Sequence, residues 1–124
     1  MKSVLVVDDN ELVRNLIKVV LVNGGFDVIL AASGHEAIQM LNTRDDSIAC
    51  VLQDLSLSDM PGEKVVAEML KMKPGLPIII LTVDDVAACA SRLSGLDIVG
   101  HVQKPFDSNA LVERVAEIVD VNRA

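Results

Sequence analysis

The chain has almost no aromatic side chains and few positive charges, and each shortage excludes a class of function. Phe26 and Phe106 are its only aromatic residues, with no Trp or Tyr, which argues against an aromatic stacking platform for single-stranded nucleic acid. Eighteen acidic against eleven basic residues give a formal net charge of −7. Nucleic acids and anionic membranes attract the opposite sign, so we expect this chain to contact neither directly.

Targeting segments and disulfide patterns are also missing. The stretch before Asp8 is too short for a signal peptide, and no apolar run approaches the roughly 20 residues of a membrane span. Cys50 and Cys89 lie inside apolar stretches without metal-ligand spacing, which indicates reduced thiols in or near a core. These features predict a cytoplasmic protein. The start at Met1, directly before the first strand, predicts that no domain precedes it, whereas the presence of a further domain after Ala124 is left open.

The 124 residues, 51% of them hydrophobic, predict one domain over residues 1–124. Apolar runs typical of buried strands alternate with segments of helical periodicity. The predicted strands are Val4 to Val7, Asp27 to Ala31, Ile48 to Leu52, Pro77 to Leu81 and Ile98 to Val102. The predicted helices are Asn10 to Asn23, Ser33 to Thr43, Gly62 to Met72, Asp85 to Leu93 and one beginning at Asp107 or Ser108. Five strands alternating with five helices predict an α/β fold, a doubly wound parallel sheet covered on both faces.

The first helix is expected to bury a broad apolar face. Its members share helical spacing and are Leu12, Val13, Leu16, Ile17 and Val20. The last helix is expected to turn Leu111, Val115, Ile118 and Val119 inward.

Charged residues follow three of the apolar runs, always at the same end. Asp8 and Asp9 follow the first run, Asp54 the third and Lys104 the fifth. In an open α/β sheet these ends meet along one edge, where ligands bind, so folding would gather three carboxylates and one ammonium. Two like charges about 4 Å apart repel by roughly 4 kcal/mol at an effective dielectric of 20. A hard divalent cation such as Mg²⁺ would relieve that repulsion.

These parts suffice for transfer of a phosphoryl group to a carboxylate. Asp54 is the candidate nucleophile because its strand is expected to lie beside the strand that ends at Asp8. Mg²⁺ held by neighbouring carboxylates would offset the charge of the incoming group. Lys104 would supply a positive charge to a phosphoryl oxygen, and Thr82, after the fourth strand, a hydroxyl donor.

Each of these residues also has a purely structural interpretation. Asp8 with Glu11, and Thr82 with Asp85, have the spacing of a helix capping box, and Lys104-Pro105 is compatible with the start of a loop. Such roles can coexist with the chemical ones. The joint occurrence of the residues at one end of their strands favours the chemical interpretation.

Over its whole length the sequence resembles the CheY-like receiver domains of two-component response regulators. The similar segments are Val7-Asp8-Asp9-Asn10, Leu52 to Leu57, Met60 with Gly62, Ile80-Leu81-Thr82 and Lys104-Pro105-Phe106. The resemblance implies a flavodoxin-like strand order 2-1-3-4-5 and phosphorylation of Asp54. It also implies Mg²⁺ bound by Asp9, Asp54 and the Ser56 carbonyl, with Asp8 acting through water. Thr82 and Lys104 would contact the phosphate, and the Lys104-Pro105 peptide would be cis.

The same resemblance implies the partners. A sensor histidine kinase or phosphotransfer protein would donate the phosphoryl group. The surface of the fourth helix, fifth strand and fifth helix would then change and control a downstream partner or a fused output domain. The protein would be a signalling domain, not an enzyme, with only self-catalysed phosphorylation and dephosphorylation. A phosphorylation-dependent dimer is left open.

The chain departs from the family pattern at four positions. Ser58 replaces a usual Pro and Pro61 a frequent Asp, Val83 replaces a small residue, and His101 replaces the switch aromatic. Ser58 predicts a more mobile loop after Asp54. Val83 predicts narrower access to the phosphate, and the smaller, polar ring of His101 predicts weaker coupling between phosphate and surface.

Other classes fit less well. A phosphatase of the haloacid dehalogenase type needs a second Asp two residues beyond its nucleophile, where this chain has Asn10 or Ser56. A nucleotide-binding protein needs a Gly-rich loop, and a flavodoxin needs aromatics beside its flavin. A receiver-like domain that binds partners without phosphorylation is disfavoured, because the acidic, Thr and Lys positions are all filled.

Overall fold

The computed structural model describes residues 3–44, 47–83 and 91–123. Its strands are β1 (Ser3–Val7), β2 (Asp27–Ala31), β3 (Ile48–Asp54), β4 (Ile78–Thr82) and β5 (Gly100–Gln103). Its helices within those ranges are α1 (Glu11–Asn23), α2 (Gly34–Arg44), α3 (Gly62–Met72) and α4 (Ser108–Arg123). The helix predicted for Asp85 to Leu93 falls mainly on residues 84–90, which lie outside the described residues, and residues 91–95 form turns.

The five strands form one parallel sheet in the order β2-β1-β3-β4-β5. Val7 at the end of β1 lies opposite Ala31 of β2 and Gln53 of β3. Asp54 lies opposite Leu81 of β4. The carboxyl ends of neighbouring strands therefore meet at one edge of the sheet, and the predicted fold class and strand order are confirmed.

Both faces of the sheet are covered, as expected of parallel strands. Alternate β1 residues face opposite ways: Leu5 and Val7 pack with α2 and α3, whereas Val4 and Val6 pack with α1 and α4. Burial of the aliphatic side chains on both faces is the main driving force of folding. No helix in the described part of the chain is long and apolar enough to cross a bilayer.

Three strands end later than predicted: β3 at Asp54, β4 at Thr82 and β5 at Gln103. β3 continues two residues beyond its predicted end at Leu52, because Asp54 still pairs with β4 and Leu55 N donates to Leu81 O at 3.3 Å. β5 spans Gly100–Gln103 instead of Ile98 to Val102. A Cβ on Gly100 would meet the Arg114 guanidinium at 2.5 Å, so the backbone of β5 lies directly beneath this α4 side chain.

The predicted buried face of α1 is partly wrong. Ile17 and Leu21 are fully buried, but Leu12 is 83% exposed and Leu16 is 53% exposed. A single helix presents only a stripe of its surface to the sheet, and the stripe follows the row of Ile17 and Leu21. The other side of α1 is an exposed apolar surface comprising Leu12, Leu16, Val19 and Val22. In α4 the prediction is confirmed for Leu111, Val115 and Val119, which are buried.

Candidate functional site

Three carboxylates meet at the carboxyl edge of the sheet. One oxygen each of Asp8, Asp9 and Asp54 lies within 4.8 Å of the others. Asp8 is fully buried, Asp54 is 4% exposed, and Asp9 is open to solvent. The convergence follows from the pairing of β1 with β3, which places the ends of these strands side by side.

Asp8 is held by a turn and not by the predicted capping box with Glu11. Its Oδ1 accepts a hydrogen bond from Asn10 N at 2.9 Å, the local side-chain turn that Asp favours. Asn10 caps α1 instead, since its Oδ1 accepts from Val13 N at 3.1 Å. The Asp8 backbone oxygen accepts from Arg14 Nη1 at 2.8 Å. These bonds leave Asp8 Oδ2 facing the other site residues.

Lys104 reaches the carboxylates from the segment after β5. Its Nζ lies 2.9 Å from Asp8 Oδ2 and 3.4 Å from Asp54 Oδ2. The Lys104 backbone N donates to Thr82 O at 2.7 Å, which fixes the lysine beside the end of β4. The Lys104-Pro105 peptide is cis, as the family resemblance implied. One ammonium thus bridges two buried carboxylates.

Asp54 lies at the centre of the group. Its Oδ1 accepts from Ser56 N at 3.0 Å, so the loop after β3 sets the orientation of the carboxylate. Burial raises the pKa of Asp54 from 3.8 to about 6; the Ser56 N–H opposes this rise, the charge of Asp8 adds to it, and Lys104 opposes it. The carboxylate is therefore charged near neutral pH, but at a cost in free energy.

The donor set fits a hard divalent cation. Three carboxylates face one ammonium, which leaves about two uncompensated negative charges in the site. Carboxylate oxygens are ligands that Mg²⁺ prefers, usually with several waters retained. The exposed position of Asp9 leaves the cluster open to solvent on one side, as a partly hydrated ion requires.

Thr82 is the last residue of β4 and is 5% exposed. It lies opposite Gln103 of β5, and its neighbour Leu81 lies opposite Asp54. Thr82 is thus one strand away from Asp54, at the same edge of the sheet. Val83 follows it with 66% of its surface exposed; its predicted effect on access to the phosphate stays a prediction.

The loop after Asp54 is held by residues that the sequence did not single out. Gln53 is fully buried and its Nε2 donates to Asp54 O at 2.8 Å. Leu55 O accepts from Gly62 N at 3.2 Å and from Arg92 Nη2 at 3.4 Å. Arg92 also forms two bonds to Glu63, at 2.6 and 2.8 Å, and these lower the pKa of Glu63. No local pattern signals such contacts, because Arg92 lies 37 residues from Leu55.

A five-stranded parallel sheet with an acidic cluster and a lysine at its carboxyl edge is the arrangement of CheY-like proteins. The chain belongs to the response regulator receiver domain family, whose model matches residues 4–116. Receiver domains are phosphorelay signalling domains of two-component systems and not conventional enzymes. The predicted extent of the domain, residues 1–124, stays a prediction.

Relatives and solved structures agree with this assignment. The transcriptional regulatory protein GlrR of Escherichia coli is 30% identical over 116 residues, covering 94% of this chain and 26% of that protein. SrrA of Staphylococcus aureus, also a transcriptional regulatory protein, is 31% identical over 119 residues, covering 94% and 47%. The chain thus spans only about a quarter to a half of these relatives.

Two solved receiver domains have the same fold. The receiver domain of Francisella response regulator 1452 has a TM-score of 0.85 at 27% identity, covering 98% of this chain and 99% of that one. A CheY-like receiver domain from Methanospirillum hungatei has a TM-score of 0.90 at 24% identity, covering 99% and 97%.

Proposed function

We propose that this receiver domain accepts a phosphoryl group on Asp54 in a Mg²⁺-dependent reaction. The observation that carries the proposal is the buried Asp54 carboxylate, which lies in one cluster with Asp8 and Asp9 and 3.4 Å from Lys104 Nζ. In the reaction one Asp54 oxygen bonds to phosphorus, the P–N bond of a phosphohistidine breaks, and the leaving imidazole takes a proton.

The neighbouring residues orient and charge-balance the nucleophile. The Ser56 N–H holds Asp54 Oδ1, which leaves Oδ2 facing Lys104. Lys104 offers a positive charge to a phosphoryl oxygen, and Thr82 offers a hydroxyl donor. Asp8, Asp9, Asp54 and the Ser56 carbonyl would hold Mg²⁺, which offsets the negative charge of the phosphoryl oxygens when it is bound.

The phosphoryl donor is proposed to be a sensor histidine kinase or a phosphotransfer protein. Such a donor must cover the edge of the sheet where Asp54 lies. The exposed apolar surface of α1 begins with Leu12, three residues after Asp9, so its first turn follows the site directly in the chain. Exposed apolar surface next to a reactive group supports recognition by a protein rather than by a small molecule alone.

The signal is proposed to leave through β5, α4 and the helix predicted for Asp85 to Leu93. A phosphoryl group adds a charge of roughly −1.5 to −2, and the hydroxyl of Thr82 would move toward it. The bond from Lys104 N to Thr82 O joins the ends of β4 and β5, which supports transmission in this direction. Because the relatives are transcriptional regulators, we propose that the output is control of transcription by another domain or protein.

Phosphorylation by acetyl phosphate with Mg²⁺, followed by intact-protein mass spectrometry, tests the proposal. We expect one added phosphoryl group in the unsubstituted protein and none in Asp54→Asn. Asp97→Asn changes an exposed Asp outside the acidic cluster and is the matched control, which should be labelled normally. Undiminished labelling of Asp54→Asn would overturn the assignment of the phosphoacceptor.

A further inference from the structure

The loop between β3 and α3 (residues 55–61) is bonded to the start of α2 by the Asp59 carboxylate. Asp59 Oδ1 accepts from Gly34 N at 3.0 Å, and Oδ2 accepts from His35 N at 3.0 Å. The ring Nδ1 of His35 lies 2.6 Å from the same Oδ2. The first N–H groups of a helix have no partner within it. A side chain 25 residues further along the chain therefore satisfies two of them in α2.

The local cap of α2 serves a different N–H group. Ser33 Oγ accepts from Glu36 N at 3.1 Å. The bonds from the Gly34 and His35 N–H groups lower the pKa of Asp59 to about 2, so the carboxylate is charged throughout the physiological range. Asp59 is thus an additional, long-range contact and not a substitute for a missing local cap.

The two partners of this contact pack closely. A Cβ on Gly34 would meet Met60 Cγ at 2.6 Å, so the loop lies directly on the first turn of α2. At the base of the loop, Gly62 N donates to Leu55 O at 3.2 Å. Ser56 N donates to Asp54 Oδ1 at 3.0 Å. The loop is therefore held at its base, at Ser56 and, through Asp59, at its far end.

Asp59 restrains the far end of the loop, where the family usually has a proline beside it. Ser58 occupies the position where the family usually has Pro, and the sequence predicted a mobile loop for that reason. A proline limits the unfolded and alternative conformations of a loop by fixing φ. The Asp59 carboxylate limits them instead by three polar contacts with α2.

We infer that Asp59 is a positioning residue for the magnesium site: it holds the β3–α3 loop so that Ser56 keeps its place beside Asp54. The inference rests on the proposed function, because it assumes that Mg²⁺ binds near Asp54 and Ser56. Asp59 itself need not contact the ion. Partners that orient metal ligands from outside the coordination shell strongly affect metal affinity.

The test is the dissociation constant of Mg²⁺ for the unphosphorylated protein, measured from amide chemical shifts of Asp9 and Ser56. We expect Asp59→Ala to raise this constant by about three- to tenfold, somewhat less than loss of a direct partner of a metal ligand. The rate of phosphorylation by acetyl phosphate should fall at limiting Mg²⁺ and recover when Mg²⁺ is saturating. Asp59→Asn, which keeps one acceptor oxygen, should be intermediate and serves if Asp59→Ala is unfolded.

Two further variants separate loop positioning from helix capping. His35→Ala removes one of the three contacts, that of the ring, but keeps both backbone bonds to Asp59, so Mg²⁺ affinity should fall much less than in Asp59→Ala. Ser58→Pro combined with Asp59→Ala should restore most of the affinity, because proline restrains the same loop in another way.

If Asp59→Ala lowers the melting temperature but leaves the Mg²⁺ affinity unchanged, Asp59 only caps α2. That result would overturn the inference about Asp59 and leave the proposed function standing. Weakened affinity that Ser58→Pro does not restore would also overturn the inference. Failure of the unsubstituted protein to bind Mg²⁺ would overturn the proposed function itself, and this inference with it.

Discussion

At the scale of single residues, the electrostatic cost of the site is concentrated on Asp54. Its carboxylate is almost fully buried beside the equally buried Asp8, and the ammonium of Lys104 is shared between them. The proposed phosphoacceptor, which would react as an anion, is thus kept where anions are costly. The negative charge that the proposed reaction needs lowers the stability of the folded protein. The free energy of unfolding should therefore depend on pH and on the concentration of divalent cations.

The free-energy cost of burying the charged Asp54 carboxylate predicts that the stability of the protein depends on pH. Its pKa is raised from 3.8 to about 6, so the folded state holds the proton more tightly than the unfolded state. The stability that Asp54 contributes is therefore full below about pH 4 and is lost as the pH rises through about 6. In metal-free buffer at pH 8, Asp54→Asn should raise the free energy of unfolding by up to about 3 kcal/mol.

Urea unfolding with EDTA at pH 5 and pH 8 measures this effect. The advantage of Asp54→Asn should fall to about half at pH 5, where the folded protein carries a protonated Asp54 but the unfolded chain is still largely ionised at this residue. An advantage of equal size at both pH values would show that charge burial is not its cause.

Lys104 should be required for stability when no divalent cation is present. Lys104→Ala leaves the buried Asp8 carboxylate without its ammonium partner at 2.9 Å, and breaking such a pair costs about 3 kcal/mol or more. Mg²⁺ should stabilise this variant more than the unsubstituted protein, because the cation replaces the missing charge.

Thermal unfolding with EDTA and with millimolar Mg²⁺ is the measurement. The control variant Lys64→Ala removes an exposed lysine. Its free energy of unfolding should stay within about 0.5 kcal/mol of that of the unsubstituted protein. An equal Mg²⁺ effect on Lys104→Ala and the unsubstituted protein would contradict the charge-replacement argument.

At the scale of elements, the junction of β3 and α3 determines the position of the site. α3 begins against the backbone that follows Asp54, and its Gly62 N bonds to Leu55 O. A Cβ on Gly62 would lie 2.5 Å from Leu55 Cα and 2.7 Å from Asp54 O. These are backbone atoms, which cannot rotate away as a side chain can. The start of α3 and the end of β3 therefore hold a fixed spacing.

Gly62→Ala should destabilise the protein and disturb the site together. The overlap should cost about 2 kcal/mol, typical of an added carbon in a packed interior. Gly24→Ala is the matched control, because the two nearest atoms to its Cβ would be Val112 side-chain methyls, at 2.9 and 3.1 Å, and the backbone oxygen of Leu21 would lie at an ordinary 3.4 Å. Chemical denaturation and the Mg²⁺ shifts of Ser56 would measure both effects. Equal losses of stability and of Mg²⁺ response in Gly62→Ala and Gly24→Ala would contradict the argument that overlap with backbone atoms is what makes Gly62 necessary.

At the scale of the whole molecule, the sheet connects the site to a distant surface. Thr82 and Lys104 belong to the ends of β4 and β5, and His101 lies two residues before Gln103 on the outer strand. His101 is half-buried, and its buried ring Nε2 has no hydrogen-bond partner among the residues that the structure describes. An unpaired buried nitrogen costs free energy, so this ring fills the position of the proposed switch residue less well than a hydrocarbon aromatic would.

Beryllofluoride, a phosphate mimic, should change amide hydrogen exchange in residues 91–103 as well as in the loop after Asp54. The response is only as large as the difference in contacts between the two states. We expect the small, polar ring of His101 to contribute little to that difference. His101→Phe, which removes the unpartnered nitrogen, should strengthen the response in residues 91–103. Changes confined to residues 55–61 would contradict transmission to β5, and an unaltered response in His101→Phe would exclude His101 from it.

Much of this architecture could be predicted, because it depends on short-range patterns in the sequence. The apolar run of β4 and the helical spacing of α3 report directly on burial and periodicity, and Gly62–Met72 is bounded as expected. The parallel order then follows from alternation of strands and helices. Charged residues at the carboxyl ends of parallel strands share an edge of the sheet. The grouping of Asp8, Asp54 and Lys104 could therefore also be predicted from the sequence.

Only the tertiary structure decided which apolar residues of α1 are buried and what holds the loop after Asp54. Leu12 and Ile17 are equally apolar, and their burial depends on how α1 is rotated against the sheet. Asp59 reaches α2 across 25 residues and Arg92 reaches Leu55 across 37. Such contacts arise when separately formed elements pack, so no periodicity or short motif encodes them. The order of the strands and the charged residues that follow them were determined by the sequence itself; the restraints on the loop beside them were determined by packing.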